Sequence, residues 1–156
     1  MADPTIEAAR DVLGDALGEL RATLAGVSVD DLNRRPAGPS SNPLAVIAAH
    51  ALSSTRSWLS LAMGAPLPER DRPAEFRTVA DDDFLAWADD RAAECRRLLE
   101  GDAPFEPTRI GAAPWRSGDL AEAPVSAAWA LLHALDHLGE HVGHAHLTRQ
   151  LLDERG

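Results

Sequence analysis

The sequence of 156 residues is long enough for one domain, taken here as residues 1–156, and its 45% of hydrophobic residues makes disorder unexpected. It contains 25 acidic and 15 basic residues, all of the latter arginines, which gives a formal charge of −10 at pH 7. A chain this acidic would repel a phosphate backbone, so we expect no binding to DNA or RNA.

The cysteine content and the first residues bear on the compartment of the protein. Cys95 is the only cysteine, so no internal disulfide can form, which fits a reducing compartment. The first residues carry no basic or apolar part of a secretory signal, and no apolar run approaches the ~18 residues of a membrane span. We expect a soluble, cytoplasmic protein with no membrane partner.

The first predicted helix follows Asp3-Pro4-Thr5, a typical helix start. Apolar residues recur there every seven positions, with others at the alternate spacing, as expected for a helix packed in a bundle. They are Ile6, Ala9, Leu13, Leu17, Leu20, Leu24 and Val27.

The second predicted helix places a histidine on a core-facing surface. Asn42 is expected to cap this helix and Pro43 to occupy its first position, and the helix should run to about Met63. His50 lies on its apolar face, so it should point inward rather than into solvent. The residues around it on the helical wheel are Val46, Ile47, Ser54, Trp58 and Leu61.

The segment from Gly64 to about Val79 has no apolar period and contains three prolines, so it cannot be one helix. About fifteen extended residues reach ~45–50 Å, more than the ~30 Å length of a 20-residue helix. We therefore predict that the second and third helices run parallel and are joined by an overhand crossover.

Charged residues within this crossing segment have two interpretations. They line the mouth of a pocket, or they form a solvated ion-pair patch held down by Phe76. The residues concerned are Arg70, Asp71, Arg72, Glu75 and Phe76.

Two further helices complete the predicted bundle. The third runs from about Asp81 to Leu99 and places Cys95 in its apolar stripe, as a hydrophobic filler or, less favourably, a nucleophile. The fourth spans roughly Val125 to Leu152, after an irregular segment. The predicted fold is therefore all-α, a four-helix bundle with a long overhand crossover connection.

The fourth helix carries a narrow stripe of histidines at positions 133, 137, 141 and 144. His137 and His141 are one turn apart, the spacing that two side chains need to grip one metal ion. With His50 they would place three imidazoles in the core, which is costly unless each nitrogen finds a partner. A divalent cation satisfies all three at once, and three protein ligands with an open position are typical of a catalytic site.

Zinc and nickel are the favoured ions, although iron and manganese also accept imidazole ligands. Four further residues are candidates for orienting the ligands or contacting a substrate, or else serve only in packing or at the helix surface. They are His133, Glu140, His144 and Trp58.

Several motifs together resemble the DinB/YfiT-like superfamily of four-helix metalloproteins. They are Ser41-Asn-Pro-Leu-Ala-Val-Ile-Ala-Ala-His50, Trp58 eight residues later, the Arg-Asp-Arg-Pro-Ala-Glu-Phe76 segment, and Leu132-His-Ala-Leu-Asp-His-Leu-Gly-Glu-His-Val-Gly-His144. The resemblance covers nearly the whole chain. It implies metal ligation by His50, His137 and His141, a bundle that is commonly dimeric, and relatives that use thiols such as mycothiol or bacillithiol. His144 stands where many members have glutamine.

Three functions remain open at this point. The first is a metal- and thiol-dependent S-transferase or isomerase that acts on a small electrophile, because a cation favours the reactive thiolate. The second is a hydrolase that uses metal-bound hydroxide, with Glu140 as the one evident general base. The third is a metal-binding stress-response module without enzymatic activity.

A second apolar stripe on the fourth helix predicts a homodimer. It lies roughly 140° from the histidines, too far to share the same seam. Either neighbouring helices of the same chain or a partner must cover it, and a two-fold pair is the commonest partner arrangement. The stripe consists of Leu131, Leu135, Leu138 and Val142.

Overall fold

The computed structural model describes residues 3–101, 104–116 and 123–154. Six helices and one pair of two-residue antiparallel strands are present in these ranges. The helices are α1 Pro4–Leu24, α2 Val29–Asn33, α3 Leu44–Met63, α4 Arg72–Glu75, α5 Phe84–Glu100 and α6 Ala127–Asp153, and the strands are β1 Ile110–Gly111 and β2 Val125–Ser126.

Local sequence signals account for most helix ends. Asp3 caps α1 by accepting a hydrogen bond from the Thr5 amide at 2.8 Å, and Ser126 caps α6 by accepting from the Trp129 amide at 3.1 Å. The start of α3 differs from the prediction, because Pro43 is itself the cap residue and Asn42 makes no cap. Gly64 ends α3 with a positive φ of 68°, a conformation that favours glycine.

Helix α3 is the inner helix of the bundle. Nearly all of its residues are buried, including His50 and Trp58, because α3 packs against both α5 and α6 and also contacts α2. Helix α1 also packs against α5 and α6. The all-α bundle predicted from the four apolar stripes is confirmed.

The directions of the helices confirm the overhand crossover. Ala49 and Trp87 line one cavity between α3 and α5, and Ser60 and Leu98 line another further along both helices, so α3 and α5 run parallel. The connection between them must therefore return along the bundle. Its far end is fixed on α2, where Asn33 exchanges two hydrogen bonds with the backbone of Ala80 at 2.7 and 2.9 Å.

Helices α3 and α6 run antiparallel, which brings the two histidine-bearing faces together. The ring centroids of His50 and His141 are 4.8 Å apart, and those of Trp58 and His133 are 4.7 Å apart. Residues later in α3 therefore contact residues earlier in α6. The antiparallel pairing aligns the aromatic residues of one helix with those of the other.

Two predicted helix starts lie a few residues too early. Helix α5 begins at Phe84 rather than Asp81, and α6 begins at Ala127 because the two residues before it pair with Ile110–Gly111. Two-residue strands are too short to show an alternating pattern, so no periodicity predicts them.

The second apolar stripe of α6 is internal. Leu131, Leu138 and Val142 are 1%, 0% and 8% exposed, and Leu135 packs partly buried against the core. Neighbouring helices of the same chain cover it, since α6 contacts both α1 and α3. The argument from this stripe for a dimer is thus removed, while the oligomeric state itself stays a prediction. Among the described helices, none combines the length and apolar character needed to cross a membrane.

Candidate metal centre

Three histidines converge between α3 and α6. One nitrogen from each of His50, His137 and His141 lies within 4.8 Å of the other two. The Nε2 atoms of His137 and His141 are 3.3 Å apart, and the His50 ring centroid lies 5.2 Å from that of His137. The sequence-predicted triad is therefore brought to one place by one turn of α6 and the facing turn of α3.

The spacing of the ring nitrogens fits a divalent cation. Tetrahedral ligation with bonds of about 2.0–2.1 Å separates neighbouring ligand atoms by about 3.3 Å, which matches the Nε2 pair of α6. The Nδ1 atoms of His137 and His141 are buried and have no hydrogen-bond partner among the described residues. A cation at the Nε2 atoms would give each ring one strong partner, while its Nδ1 atom would still have none among these residues.

The rings of α6 are held neutral, as ligation requires. Burial, followed by the positive charges that His141, His50, His133 and Arg70 would place nearby, lowers the pKa of His137 to about 3. Burial also lowers the pKa of His141 to about 4, with His50 and His144 adding to the effect. At neutral pH both imidazoles therefore have a free lone pair for an ion.

A carboxylate from the crossing segment contacts the third histidine. Glu75 Oε2 lies 2.8 Å from His50 Nδ1, and Arg70 donates from Nε to Oε1 at 2.7 Å and from Nη2 to Oε2 at 3.0 Å. Burial raises the pKa of Glu75, but the hydrogen bonds from His50 and Arg70 outweigh burial, so its pKa is lowered. Glu75 is ionised at neutral pH.

The crossing-segment cluster lines a cavity, as the first interpretation of its sequence predicts, but its ion pair is buried rather than solvated. The Glu75 and Arg70 side chains are only 7% and 5% exposed, whereas Asp71 and Arg72 are exposed. The contact of Glu75 with His50 was missed at the sequence level. The sequence carried a signal for the short helix α4 alone, because Asp71 before Arg72-Pro73 is a helix start, and Asp71 accepts a hydrogen bond from the Ala74 amide at 2.9 Å to cap it.

Aromatic side chains form a wall beside the triad. Trp58, 4% exposed, packs edge-on against His133, Trp115 and Trp129 at centroid distances of 4.7, 5.2 and 5.4 Å. His133 stacks on Trp129 at 4.6 Å and lies 5.5 Å from His137. Burial lowers the pKa of His133. Trp58 and His133 are thus adjacent to the candidate metal centre.

The other two residues predicted to orient the ligands or contact a substrate lie at the surface. Glu140 and His144 are both exposed, and the His144 ring centroid is 6.4 Å from that of His141. A substrate approaching from solvent can reach them, but neither is a buried partner of the triad.

Cys95 is a packing residue. Its side chain is fully buried and its Sγ lies 3.8 Å from the Leu52 carbonyl oxygen. Burial, with the Glu94 charge, raises the pKa of the thiol to about 12, so the thiolate is not formed at neutral pH. This environment agrees with the prediction that Cys95 fills space in the hydrophobic core.

A cavity of about 260 Å³ lies between α3, α5 and the crossing segment. Arg70 and Glu75 line it together with Ser53 and Arg91, while none of the three histidines does. The buried ion pair of Arg70 and Glu75 therefore separates this cavity from the histidine triad.

The all-helical bundle with its overhand crossing is a DinB/YfiT-like fold, with a histidine triad in its interior. The family model described as mycothiol-S-transferase matches residues 8–154. The chain therefore belongs to the mycothiol-S-transferase family, and this membership indicates a thiol S-transferase-like function.

The crystal structure of a conserved protein from Enterococcus faecalis is similar to this chain. The TM-score is 0.73 at 19% sequence identity, and the match covers 98% of this chain and 99% of the other. At this identity the similarity supports the fold alone. No curated protein sequence matches significantly.

Proposed function

We propose that the protein is a metal- and thiol-dependent S-transferase that joins the sulfur of a low-molecular-weight thiol, mycothiol or a close analogue, to a small electrophile. His50, His137 and His141 would hold the cation, zinc or nickel. The observation that carries the proposal is the convergence of three histidine nitrogens in a member of the mycothiol-S-transferase family.

A divalent cation at this position would lower the pKa of a nearby thiol and favour the reactive thiolate. The chain supplies neutral imidazoles to hold the ion and an aromatic wall of Trp58 and His133 that excludes water from one side. No protein nucleophile is needed, and Cys95 is not available as one. Such thiols are kept reduced in the cytoplasm, where we propose that the protein acts.

The exposure of Glu140, the candidate general base for hydrolysis, favours thiol transfer over hydrolysis. Glu140 lies at the surface, whereas a general base must lie within hydrogen-bond reach of its proton in the substrate complex. Among the described hydrogen bonds of the triad none involves Glu140, so the geometry gives it no support as a base. Hydrolysis and a non-enzymatic role are therefore treated as outcomes of the test.

The test compares thiols and hydrolysable substrates on the same metal-loaded protein. Mycothiol, bacillithiol, glutathione and cysteine are screened by thermal shift, and loss of thiol is then measured with a chromogenic electrophile. We expect mycothiol to raise the melting temperature and to be consumed only with metal present. His137→Ala should abolish turnover, and His146→Ala should retain it, because the His146 ring lies against Glu19 of α1 rather than against the triad. Hydrolysis of simple esters or amides without thiol would support the hydrolase, and no turnover of either kind would support the non-enzymatic module.

A further inference from the structure

The contact between Glu75 and His50 determines which nitrogen of His50 is free. Arg70 donates a hydrogen bond to each oxygen of Glu75, which makes this carboxyl group an acceptor, so His50 Nδ1, 2.8 Å from Glu75 Oε2, carries the hydrogen. In a neutral ring the other nitrogen, Nε2, then has the lone pair. The carboxylate thus selects one tautomer of His50 and one orientation of its ring.

His50 differs from the other two triad histidines in having a hydrogen-bond partner at Nδ1. The Nδ1 atoms of His137 and His141 have no hydrogen-bond partner in residues 3–101, 104–116 and 123–154. Their orientation depends on packing and on the helix that carries both. Within the triad, then, His50 is the one histidine that the described residues orient by a hydrogen bond to a charged group.

The carboxylate itself is firmly held. Arg70 donates two hydrogen bonds to it, and both side chains are almost completely buried. The backbone around it is fixed as well, since Thr78 Oγ1 donates to the Glu75 carbonyl at 2.9 Å. Phe76 lies against the His50 ring at a centroid distance of 4.9 Å. The crossing segment is therefore fastened to His50 by both polar and aromatic contacts.

We propose that Glu75 is a positioning residue of the metal centre, which fixes His50 with Nε2 directed at the cation, and that Arg70 holds Glu75 in place. This inference rests on the proposed metal-binding function. Carboxylates that orient metal-ligating histidines typically change metal affinity by about 10–100-fold when removed. The crossing segment would thus be part of the metal centre rather than a simple connection.

Three variants separate this role from a general loss of structure. Glu75→Ala removes the acceptor, and Glu75→Gln retains one amide oxygen that can still accept from His50. Glu94→Ala is the matched control, because Glu94 Oε2 also pairs with two arginines, Arg56 at 2.7 Å and Arg91 at 3.0 Å, without contacting a histidine. All three are first compared with the wild type by circular dichroism and thermal melting.

The first measurement is zinc affinity by competition with a chromophoric chelator. We expect Glu75→Ala to weaken binding about 10–100-fold, Glu75→Gln to recover part of the loss, and Glu94→Ala to bind as the wild type does. Wild-type affinity in both Glu75 variants would overturn the inference. If Glu75→Ala fails to fold, the result for Glu75→Gln decides.

The second measurement uses the metal-free protein and is independent of the proposed function. Long-range ¹H–¹⁵N NMR distinguishes the two neutral tautomers of a histidine. We expect His50 to carry its hydrogen on Nδ1 in the wild type and the Glu94 variant, to shift toward Nε2 in Glu75→Ala, and to shift less in Glu75→Gln, whose amide oxygen can still accept. An unchanged tautomer in folded Glu75→Ala would refute the positioning role even if affinity falls. A wild type that binds no zinc would instead refute the proposed function. The tautomer measurement would still test whether Glu75 orients His50.

Discussion

At the scale of single residues, His137 and His141 are presented by one turn of one helix, with Nε2 atoms 3.3 Å apart. We expect His137→Ala to lose its metal, because removing one of three ligands leaves a site of two. Metal analysis of the purified proteins checks this, with His144→Ala as a control on the exposed side of the same helix. Equal metal content in wild type and His137→Ala would contradict the ligand assignment.

The lowered pKa values of the same two histidines predict acid sensitivity of the metal-free protein. Between about pH 6.5, the usual histidine pKa, and the folded values of about 3 and 4, the unfolded chain binds more protons than the folded one. The free energy of unfolding must therefore fall as the pH falls through this window. Melting temperatures from pH 7.5 to 4.5 should show the decline, and His137→Leu should make it shallower than His144→Leu does.

How far the residues of the site could be predicted depends on where they lie. His137 and His141 follow from helical spacing, and His50 follows from its place on an apolar face. Glu75 could not be found in the same way, because it lies 25 positions from His50 in a segment without periodicity. Its contact is set by the path of the chain across the bundle, which no local pattern encodes.

At the scale of secondary-structure elements, Arg109 closes the C-terminal end of α3. Its guanidinium donates to the carbonyl oxygens of Leu61 and, at 2.9 Å, Ala62, which lie in the last turn of the helix. The Leu61 oxygen also accepts from the Gly64 amide at 3.3 Å. Hydrogen bonds from a charged donor contribute about 1.5–3 kcal/mol, so Arg109→Ala should destabilise the fold by about that amount. Urea denaturation checks this, with the exposed Arg97→Ala as control. A change equal to that of the control would mean that water satisfies these carbonyls.

The element order and the crossing were predictable because they follow from apolar period and chain length. The segment after α3 is long enough to traverse the bundle, and the parallel packing of α3 and α5 requires it to do so. The boundaries of α5 and α6 were less predictable. The β1–β2 pairing sets the start of α6 through a contact between distant residues, Ile110 and Ser126.

At the scale of the whole molecule, the apolar core does not depend on the triad. Buried leucines and alanines of α1, α3, α5 and α6 form one cluster, which suffices for a chain of this length. We therefore expect chelation to lower the melting temperature by removing a ligand of the native state, without unfolding the protein at room temperature. A chelated sample lacking helical circular dichroism at 25 °C would show that the metal is required for folding.

The homodimer remains a prediction, now assigned to the outer face of α6. Leu132 and Leu147 are 66% and 62% exposed there, and a Cβ added at Gly139 or Gly143 would meet nothing within 4 Å. Light scattering should report about twice the chain mass of 16.7 kDa. Leu147→Glu should halve it, and Val79→Glu, at an exposed position of the crossing segment, should not. A wild-type monomer at high concentration would end this prediction.

The burial of α3 on nearly every side has a consequence for synthesis on the ribosome. Helix α6, which covers α3 and carries two of the three histidines, is made after the helices that it joins. Until α6 emerges, an apolar surface of α3 stays uncovered, and transiently exposed surfaces of this kind promote aggregation. A nascent chain can already pair His50 with Glu75, because both precede α6. Docking of α6 would then close the core and assemble the three imidazoles in a single late step.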